Sequence, residues 1–328
     1  MMKKFLLAVT LSALALTIGG CGEESSGASS GDGGNFPEKS IEIIVPAAAG
    51  GGTDATARAL ANEAEDVFGQ SIGVLNKTGG SGSVGMSEGA NAKADGYKVT
   101  MVFVELTMFK HLGLSPLTYD QFKPIGMINF DPAALTVAAD APYDTLEEFI
   151  AYAKDHPGEV SVGNSGTGSI WHIAAASLEK AADIKLNHVP HEGAAPAVTA
   201  LVGGHIDAVT VSPAEVKTQL EAGNVKTLAV MADTRSDIIP DVPTFGEAGL
   251  EVNPTGTWRG LTVPKDTPDD VVAKLEEGFM KAAEDEDFAE FMKTNGLGIE
   301  LKDSGEFEEY MKQNEEDFGE IIGELGLN

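Results

Sequence analysis

Two glycine-rich segments have the composition of loops that hold small anions. The first, 45-VPAAAGGGTDATAR-58, follows an apolar run and places three consecutive glycines ahead of a helical pattern. The second, 160-VSVGNSGTGSIWHIAA-175, has the same order of strand, Gly/Ser/Thr turn and helix. Backbone N–H groups at the start of a helix are unpaired and carry partial positive charge, so they bind carboxylates and phosphates. The sequence therefore predicts two anion-binding loops.

These loops contain the donors that a carboxylate needs. Gly51, Gly52 and Thr53 offer backbone N–H groups, and glycine lets a ligand approach the chain closely. Asp54 has the type and position of a capping residue whose carboxylate accepts helix N–H bonds, so the donors ahead of it are the better ligand candidates. The second loop adds three hydroxyl groups, from Ser165, Thr167 and Ser169. A tight turn without a ligand is the alternative for each loop, and the matched pair makes it the less favoured interpretation.

Nucleotide binding is another interpretation of such glycine-rich segments. Neither loop has the lysine of the G-x-x-x-x-G-K-[ST] pattern, which excludes a nucleotide P-loop. The segment 80-GSGSVG-85 does fit G-x-G-x-x-G, and Glu105 follows about twenty residues later. However, 76-NKTG-79 separates this segment from the preceding strand, where a dinucleotide fold has a direct turn. A dinucleotide site is therefore disfavoured.

Catalytic and metal-binding patterns are weak. Ser169 and His172 lie three residues apart on one predicted helix, but the chain has no G-x-S-x-G nucleophile elbow. His188 and His191 could join His172 in a metal site, yet H-x-x-H without a clear third ligand gives little support, and a turn-rich loop is the simpler explanation. The sequence therefore predicts no catalytic residue, no metal and no cofactor.

Trp258 and Arg259 lie together in the Gly-flanked segment 255-TGTWRGL-261. They fit an aromatic plug at the junction of two lobes. They equally fit a ligand wall in which Arg259 grips a second carboxylate in bidentate fashion. Both interpretations stay open, and Arg259 is kept as a candidate binding residue.

Alternating strands and helices must position these residues. Apolar runs predict strands at 41–45, 71–75, 98–104, 134–138, 160–163, 185–189, 208–211 and 227–231, with helical patterns between them. This alternation favours parallel sheets of βαβ type. The end of the chain is helical, and Thr267 is the expected N-cap of its first helix, with Pro268 in the first helical position.

Size and charge restrict the function. A chain of 328 residues, 42 % of them hydrophobic, is too long for one ordinary core, so two lobes are expected. The formal net charge of −29 argues against nucleic acid, because a phosphate backbone needs a basic surface. A small anion is not excluded, since distant charges are screened beyond about 10 Å and local N–H dipoles act at short range.

The N-terminus predicts export and lipid attachment. Two lysines precede an apolar run at 5–18 that is too short to span a membrane as a mature helix, as in a signal peptide. The following 18-IGGC-21 resembles a bacterial lipobox, and Cys21 is the only cysteine, so no internal disulfide is expected. We expect residues 1–21 to be a lipoprotein signal peptide ending at the anchoring Cys21, and residues 22–36 to be a flexible tether. Ordinary signal cleavage is the alternative.

Eight segments, in order, resemble the Bug family, the substrate-binding receptors of tripartite tricarboxylate transporters. They are 44-IVPAAAGGGTDATARAL-60, 76-NKTGGSGSVG-85, 95-DGYKVT-100, 163-GNSGTGSIWH-172, 188-HVPHEGAAPA-197, 206-IDAVTVSPAEV-216, 228-LAVMADTRSDIIPDVPTFGEAGL-250 and 258-WRGLTVPKDTP-268. The resemblance implies an α/β Venus-flytrap fold, the type II periplasmic binding fold, with parallel or mixed sheets and two crossings. It implies lobe 1 at 37–132 plus 235–328 and lobe 2 at 133–234.

The resemblance also implies a ligand site between the lobes. In relatives, the two glycine-rich loops clamp one carboxylate of an organic acid, partly through ordered water. The candidate ligand-binding residues are Gly51, Gly52, Thr53, Asp54, Glu105, Ser165, Gly166, Thr167, Gly168, Ser169, His172, His191, Ser212 and Arg259. Three departures from the family pattern, at Ala47 to Ala49, at Glu105 and at His191-Glu192, leave the distal end of the ligand open, including an uncharged or amino-bearing end.

The sequence thus predicts a lipid-anchored extracytoplasmic receptor, not an enzyme, for a small di- or tricarboxylate. We expect a monomer that delivers its ligand to a permease made of a large and a small membrane subunit. A receptor that signals to a membrane sensor kinase is an alternative. An exported enzyme acting on a carboxylate, with Ser169, His172 and Glu105 as its polar residues, is a less favoured one.

Overall fold

The computed structural model describes residues 36–191 and 193–327, in which ten strands alternate with nine helices. The predicted signal peptide, Cys21 and the tether up to residue 35 lie outside the described residues. Among the helices that are described, none combines the length and the apolar character that a membrane span requires.

The strands and helices have the following bounds. The strands are β1 (Ile41–Val45), β2 (Ile72–Asn76), β3 (Lys98–Phe103), β4 (Phe122–Pro132), β5 (Ala134–Ala138), β6 (Ser161–Asn164), β7 (Asn187–Pro190), β8 (Ala208–Val209), β9 (Val225–Val230) and β10 (Gly256–Pro264). The helices are α1 (Gly52–Phe68), α2 (Ser83–Ala90), α3 (Leu146–Asp155), α4 (Ile170–Ala182), α5 (Ala194–Val202), α6 (Pro213–Glu221), α7 (Asp269–Ala283), α8 (Glu286–Asn295) and α9 (Ser304–Leu325). A short 3-10 turn, Val104–Thr107, follows β3 directly.

The first sheet has the strand order β2-β1-β3-β10-β4. β1 is parallel to β2 and β3, whereas β10 is antiparallel to both of its neighbours. Every residue of β10 is buried, because α2 and α4 contact this strand and α7 and α9 pack against its neighbour β4. The carboxyl end of β1 leads into the first glycine-rich loop, which this sheet therefore positions.

The second sheet has the strand order β7-β6-β8-β5-β9. β6 is parallel to β7 and β8, and β5 is antiparallel to β8 and β9. The second glycine-rich loop follows the carboxyl end of β6 and ends where α4 begins. Each loop thus lies at the end of a parallel strand, which is where α/β sheets bind ligands.

The chain crosses between the sheets twice, and the two crossings lie side by side. The first crossing, at Ala133, joins β4 to β5, and the second joins β9 to β10 through residues 231–255. The Ala133 N–H donates to the Thr255 carbonyl at 2.7 Å, and the Met231 N–H donates to the Ala133 carbonyl at 2.8 Å. Thr255 in turn donates its N–H to the Met231 carbonyl at 3.0 Å, so backbone bonds join both connections.

The apolar core has two parts. One part lies between the first sheet and α1, α7 and α8, and it contains Ile43, Leu60 and Phe279, none of which is exposed. The other part extends from the end of β3 through the second sheet to α9, and it includes Phe109 and Phe307. The ends of β1 and β6 lie between these parts, where the polar loops begin.

Both sheets are mixed, which confirms the parallel or mixed sheets implied by the resemblance, although the alternation of strands and helices alone favoured parallel ones. The reversed strands β5 and β10 each enter directly from the other sheet, without the helical crossover that keeps successive strands parallel. The sequence analysis also missed β4 and β10. Thr267 is not a helix cap, because α7 begins at Asp269 after Pro268, and the Thr267 hydroxyl donates to the Pro264 carbonyl at 2.7 Å.

Candidate functional site

The first glycine-rich loop leaves backbone donors free at the start of α1. Gly51 is the N-cap, with extended backbone angles (φ −85°, ψ 172°) and no side chain to satisfy the helix. Among the described residues, no acceptor pairs with the N–H groups of Gly51, Gly52 or Thr53. Gly51 is exposed and Gly52 is partly exposed, so these donors are accessible. An uncapped, accessible helix start is a ready site for an anion.

Asp54 does not cap α1 as expected. It is the third residue of the helix, and its buried carboxylate accepts the N–H of Gly50, outside the helix, at 2.9 Å. Nε of Arg58 at 3.0 Å and Nδ2 of Asn76 at 2.9 Å also donate to it. Burial acts to raise the pKa of Asp54, but the bonds from Arg58, Gly50 and Asn76 outweigh it and lower the pKa. The carboxylate therefore holds the loop in shape and leaves the ligand site to the N–H groups.

Arg259 lies beneath this loop in an internal network. Its Nε donates to the Thr53 hydroxyl at 2.9 Å, and its Nη1 donates to Asn129 and, at 2.5 Å, to the Asp131 carboxylate. Its Nη2 lies 3.0 Å from the position that a Cβ on Gly52 would occupy. Since two of the three nitrogens have protein partners, only Nη2 can reach a ligand at the loop, and the bidentate grip expected of Arg259 is not available.

Trp258 is a structural side chain. It is fully buried, packs edge-on against Phe307 with ring centroids 5.3 Å apart, and donates its indole N–H to Asn314 at 2.7 Å. These partners lie on α9. Of the two interpretations of this residue, the structure supports the aromatic plug.

The second glycine-rich loop uses much of its donor capacity internally. The Gly166 N–H donates to Asn164 Oδ1 at 3.0 Å, and the Gly168 N–H donates to His172 Nδ1 at 3.1 Å. The Ser169 N–H donates to the Gly166 carbonyl at 3.1 Å. Gly166 and Gly168 have φ values of 124° and 76°, which favour glycine. Three of the backbone donors predicted for the ligand are therefore already paired.

Four polar groups of the second loop and its surroundings have no hydrogen-bond partner within residues 36–191 and 193–327. Among the described residues, the hydroxyls of Ser165 and Thr167 pair with no other group, and Thr167 is exposed. Asn164 Nδ2 and His191 Nε2 are buried and equally without a partner. A buried unpaired polar group costs about 1–3 kcal/mol, so it indicates a place for a ligand or an ordered water. Asn164 was not predicted, although it ends β6 directly before the loop.

Glu105 reaches from the first sheet to the start of α4. It lies in the 3-10 turn after β3, close enough to the N–H of Ile170, the first residue of α4, for that N–H to act on its pKa. Burial raises the pKa of Glu105 to about 7, against the opposing effect of its own N–H, that of Ile170 and the charge of Arg259. The start of α4, predicted to bind the carboxylate of a ligand, thus also influences a carboxyl group of the protein.

Ser212 caps α6. Its N–H donates to Glu215 Oε2 at 3.0 Å, and its hydroxyl donates to the same oxygen at 3.2 Å. The sequence did not single out Glu215, which is exposed at the start of α6. The surrounding protein removes part of its hydration, and this loss raises the pKa of Glu215. The Ser212 N–H and the charge of Arg259 lower that pKa, whereas the charge of Asp131 raises it. Arg259 therefore acts on carboxylates from both sheets.

The Ser169–His172 pair lacks the geometry of a nucleophile and its base. The Ser169 hydroxyl accepts the backbone N–H of His172 at 3.3 Å as the N-cap of α4, while the imidazole accepts from Gly168. Burial lowers the pKa of His172 to about 4, and His188 adds to this effect, so the ring is neutral at pH 7. Within the described residues, His172, His188 and His191 form no group with ligand atoms within 4.8 Å of one another.

One acidic group does have the spacing of metal ligands. In the described part of the chain, oxygens of Glu63, Asp285 and Asp287 lie within 4.8 Å of one another. All three side chains are at the surface, and the Asp285 carboxylate caps α8 by accepting the Asp287 N–H at 2.8 Å. Helix capping therefore accounts for this arrangement.

The G-x-G-x-x-G segment serves the packing of α2. A Cβ on Gly85 would lie 2.6 Å from the Lys77 carbonyl oxygen and 2.9 Å from Pro46 Cα, so only glycine lets α2 approach the end of β1. Gly82 has a φ of 96° and lies against the Phe103 ring. These requirements explain the glycines without a dinucleotide.

A cavity of about 1090 Å³ lies beside the Arg259 network. Asp131, Lys217, Leu297 and Glu300 are among its lining residues, which come from β4, α6, α8, α9, the segment between β9 and β10 and the chain after α8. No residue of either glycine-rich loop lines it. It therefore borders the candidate ligand site through Asp131 and Leu297 without including a residue of the loops.

Comparisons with known sequences give one consistent family. The model of the tripartite tricarboxylate transporter family receptors matches residues 56–327. A UPF0065 protein of the TAR-I ttuE-ttuC' intergenic region of Agrobacterium vitis is 31% identical over 298 residues, which cover 89% of this chain and 86% of that protein. BugT of Bordetella pertussis is 30% identical over 244 residues, covering 73% and 75% of the two chains.

Solved structures give the same result. A TctC solute-binding protein from Polaromonas is 40% identical and superposes with a TM-score of 0.75, covering 88% of this chain and 99% of that one. MatC from Rhodopseudomonas palustris with bound malate has a TM-score of 0.77 at 27% identity, covering 88% and 100%. Another R. palustris protein, with adipate, has a TM-score of 0.81 at 25% identity, covering 89% and 98%.

Proposed function

Because the chain belongs to the family of tripartite tricarboxylate transporter receptors, we propose that it captures a small di- or tricarboxylate and delivers it to a permease with a large and a small membrane subunit. Members of the family and the similar structures are extracytoplasmic solute-binding receptors, not enzymes. The Bug resemblance, the two-lobed periplasmic binding fold and the absence of enzyme function are thereby confirmed, and the exported-enzyme alternative is wrong.

One observation carries the proposal of a carboxylate ligand. The start of α1 offers the free N–H groups of Gly51, Gly52 and Thr53, and Nη2 of Arg259 lies beneath Gly52. Hydrogen bonds to a carboxylate from such donors are about twice as strong as neutral ones. The malate and adipate bound by the two R. palustris proteins are both carboxylates, which supports the same class of ligand here.

The second loop supplies the opposite wall of this proposed site. The hydroxyls of Ser165 and Thr167 and the buried Nδ2 of Asn164 have no partner among the described residues. A ligand held at α1 that also takes these donors joins the two sheets. The receptor then needs only a higher affinity in its closed arrangement than in its open one.

We propose that the first segment of lobe 1 ends at residue 132, that lobe 2 begins at residue 133, and that lobe 2 continues to the second crossing. The hydrogen bonds among Ala133, Met231 and Thr255 support a hinge at these residues. The Val230 N–H donates to the Pro243 carbonyl, and the Phe245 N–H donates to the Val230 carbonyl. The second boundary therefore fits Thr255 better than residue 234.

The carboxylate proposal is tested by native mass spectrometry of protein purified without denaturation, followed by calorimetry with malate, adipate and citrate. We expect a bound carboxylate and a loss of about 1–3 kcal/mol of binding free energy in Thr167→Val, which removes one hydroxyl donor at constant shape. Thr199→Val, on the exposed surface of α5, is the matched control. Absence of binding to any carboxylate in the wild type contradicts the proposal.

Lipid attachment is a separate part of the proposal, and Cys21 lies outside the described residues. The 18-IGGC-21 pattern supports a diacylglycerol on this thiol. Cys21→Ser should move the protein from the membrane fraction to the soluble fraction on cell fractionation. A wild-type protein that is already soluble and cleaved at another residue contradicts the attachment.

A further inference from the structure

One imidazole holds the backbone of the second glycine-rich loop. Gly168 is buried, so its N–H needs an acceptor within the protein. The acceptor is Nδ1 of His172, at 3.1 Å, in the first turn of α4. An imidazole nitrogen accepts a hydrogen bond only when it carries no proton, so the His172 ring is neutral with its proton on Nε2. The conformation of the loop therefore depends on the position and the tautomer of His172.

A second imidazole and a carboxylate lie behind His172. The His188 ring, on β7, packs edge-on against the His172 ring, with the centroids 4.9 Å apart and the planes at 77°. His188 Nε2 lies 2.9 Å from the Glu179 carboxylate, which also accepts the Leu186 N–H at 3.1 Å. Glu179 follows His172 by seven residues on α4, so both side chains lie on one face of the helix. The carboxylate thus orients His188, and His188 orients the His172 ring.

This network borders a cavity that the loop does not line. The cavity has a volume of about 710 Å³, and His172, His188 and Glu179 are among its lining residues. Within the described chain, its lining includes none of the residues 165–169. Burial and the charge of His188 lower the pKa of His172 to about 4, against the charge of Glu179. The ring is therefore neutral at pH 7 and can accept the loop N–H without any contact to a ligand.

We propose that His172 is a positioning residue, whose Nδ1 holds the Gly168 N–H and thereby places the Thr167 hydroxyl for a ligand that His172 itself does not contact. The inference rests on the proposed function, in which Thr167 donates to the carboxylate, and it adds no ligand class. Glycine adopts many conformations, so the φ of 76° at Gly168 needs such a bond to stay fixed. His172, a candidate ligand-binding residue from the sequence, thus acts from behind the loop.

The tautomer of His172 gives a first test on the unaltered protein. Nitrogen-15 NMR of histidine-labelled protein at pH 7 should show His172 with Nδ1 unprotonated and Nε2 protonated. A proton on Nδ1 excludes the bond from Gly168 and overturns the inference.

Two variants separate the acceptor from the packing of the ring. Asn offers Oδ1 close to the place of Nδ1 and can keep the bond, whereas Leu fills the buried site without an acceptor. We expect His172→Asn to bind malate, adipate or citrate within about threefold of the wild type, and His172→Leu to bind them roughly tenfold or more weakly in calorimetry. If the ring served packing alone, the order would reverse, because a buried apolar site favours Leu over Asn. His205→Leu, at an exposed position, is the control and should bind as the wild type does.

Hydrogen exchange at the Gly168 amide distinguishes positioning from a direct contact with the ligand. Without ligand, exchange should be slow in the wild type and in His172→Asn, and roughly tenfold or more faster in His172→Leu. Unchanged exchange in folded His172→Leu, or tighter binding by His172→Leu than by His172→Asn, overturns the inference and leaves carboxylate capture intact. Failure of the wild type to bind any of the three acids contradicts the proposed function, and the inference with it.

Discussion

The buried ion pair between Arg259 and Asp131 gives a quantitative test of how the site is held. Their side chains are 8% and 3% exposed, and Nη1 lies 2.5 Å from Asp131 Oδ2. Arg259→Met keeps the aliphatic stem but leaves the carboxylate with two donors, the Gly298 N–H at 2.8 Å and Asn129 Nδ2 at 3.1 Å. Removing one partner of a buried pair costs about 3–5 kcal/mol, because the other charge is left uncompensated.

A second variant, Asp131→Asn, separates the effect of losing the ion pair from the effect of losing the packing of the Arg259 side chain. Asp131→Asn keeps the shape and leaves an uncharged acceptor for the guanidinium. In the double variant Arg259→Met/Asp131→Asn, neither charge remains buried, so its loss should be smaller than the sum of the single losses by about 1–3 kcal/mol. Total stability is about 5–15 kcal/mol for a typical domain, so all variants should still fold.

Urea unfolding followed by the fluorescence of the two buried tryptophans, Trp171 and Trp258, measures these free energies. Arg235→Met is the matched control, because Arg235 pairs with Glu247 at the surface, with 43% of its side chain exposed. Surface pairs contribute little to stability, so this control should lose much less than Arg259→Met. The reasoning is refuted if both variants lose the same stability, or if the losses at Arg259 and Asp131 simply add.

Three further predictions concern the loops and their helices. Gly52→Ala places a Cβ 3.0 Å from Arg259 Nη2 and should weaken carboxylate binding by roughly tenfold in calorimetry. In the control Gly51→Ala, the added Cβ meets only a backbone oxygen at 3.7 Å, so this variant should bind as the wild type does. Equal binding by both variants argues against the site at α1. Burial raises the pKa of Glu105 to about 7, above its ordinary 4.5, so the stability that its protonated form contributes is complete below pH 4.5 and is lost as the pH rises through 7. Glu105→Gln should therefore be more stable than the wild type at pH 8, by on the order of 1–3 kcal/mol, and equally stable at pH 4. A stability difference that does not depend on pH in urea unfolding contradicts the raised pKa of Glu105. Ser169→Ala removes the N-cap of α4 and should cost about 0.5–2 kcal/mol in thermal unfolding, while an unchanged midpoint would show that the 3.3 Å bond to the His172 N–H contributes nothing.

Local features of the site could be predicted from sequence, because short segments encode them. The apolar run before Gly50, the glycines at 50–52 and the Gly/Ser/Thr turn after Val162 placed each loop between a strand and a helix, as the structure has them. The strands β4 and β10 escaped prediction, because FKPIGMINFDP contains proline and glycine, and GTWRGLTVP is buried at every residue and so lacks the alternation of a half-exposed strand.

The contacts that define the site are not encoded locally. Arg259 and Asp131 are 128 residues apart in the chain, and Thr53 is a further 78 residues away from Asp131, so no spacing indicates that one guanidinium joins them. Glu105 could be named as a departure from the family pattern, but the burial that raises its pKa arises only in the folded chain. Sequence patterns gave the donors of each loop, and tertiary structure decided which donors remain free.

The position of β10 has a consequence for the order in which the chain can fold. β10 is the last strand to be synthesised, yet it lies between β3 and β4 in the first sheet. Until residues 256–264 emerge, β3 and β4 each keep an unpaired edge, and such edges promote aggregation. The second sheet uses only strands between residues 134 and 230, so it can be completed earlier, even though the first sheet begins nearer the N-terminus. The N-terminal strands must therefore wait for residues 256–264, and a nascent polypeptide that ends before residue 264 cannot close the first sheet.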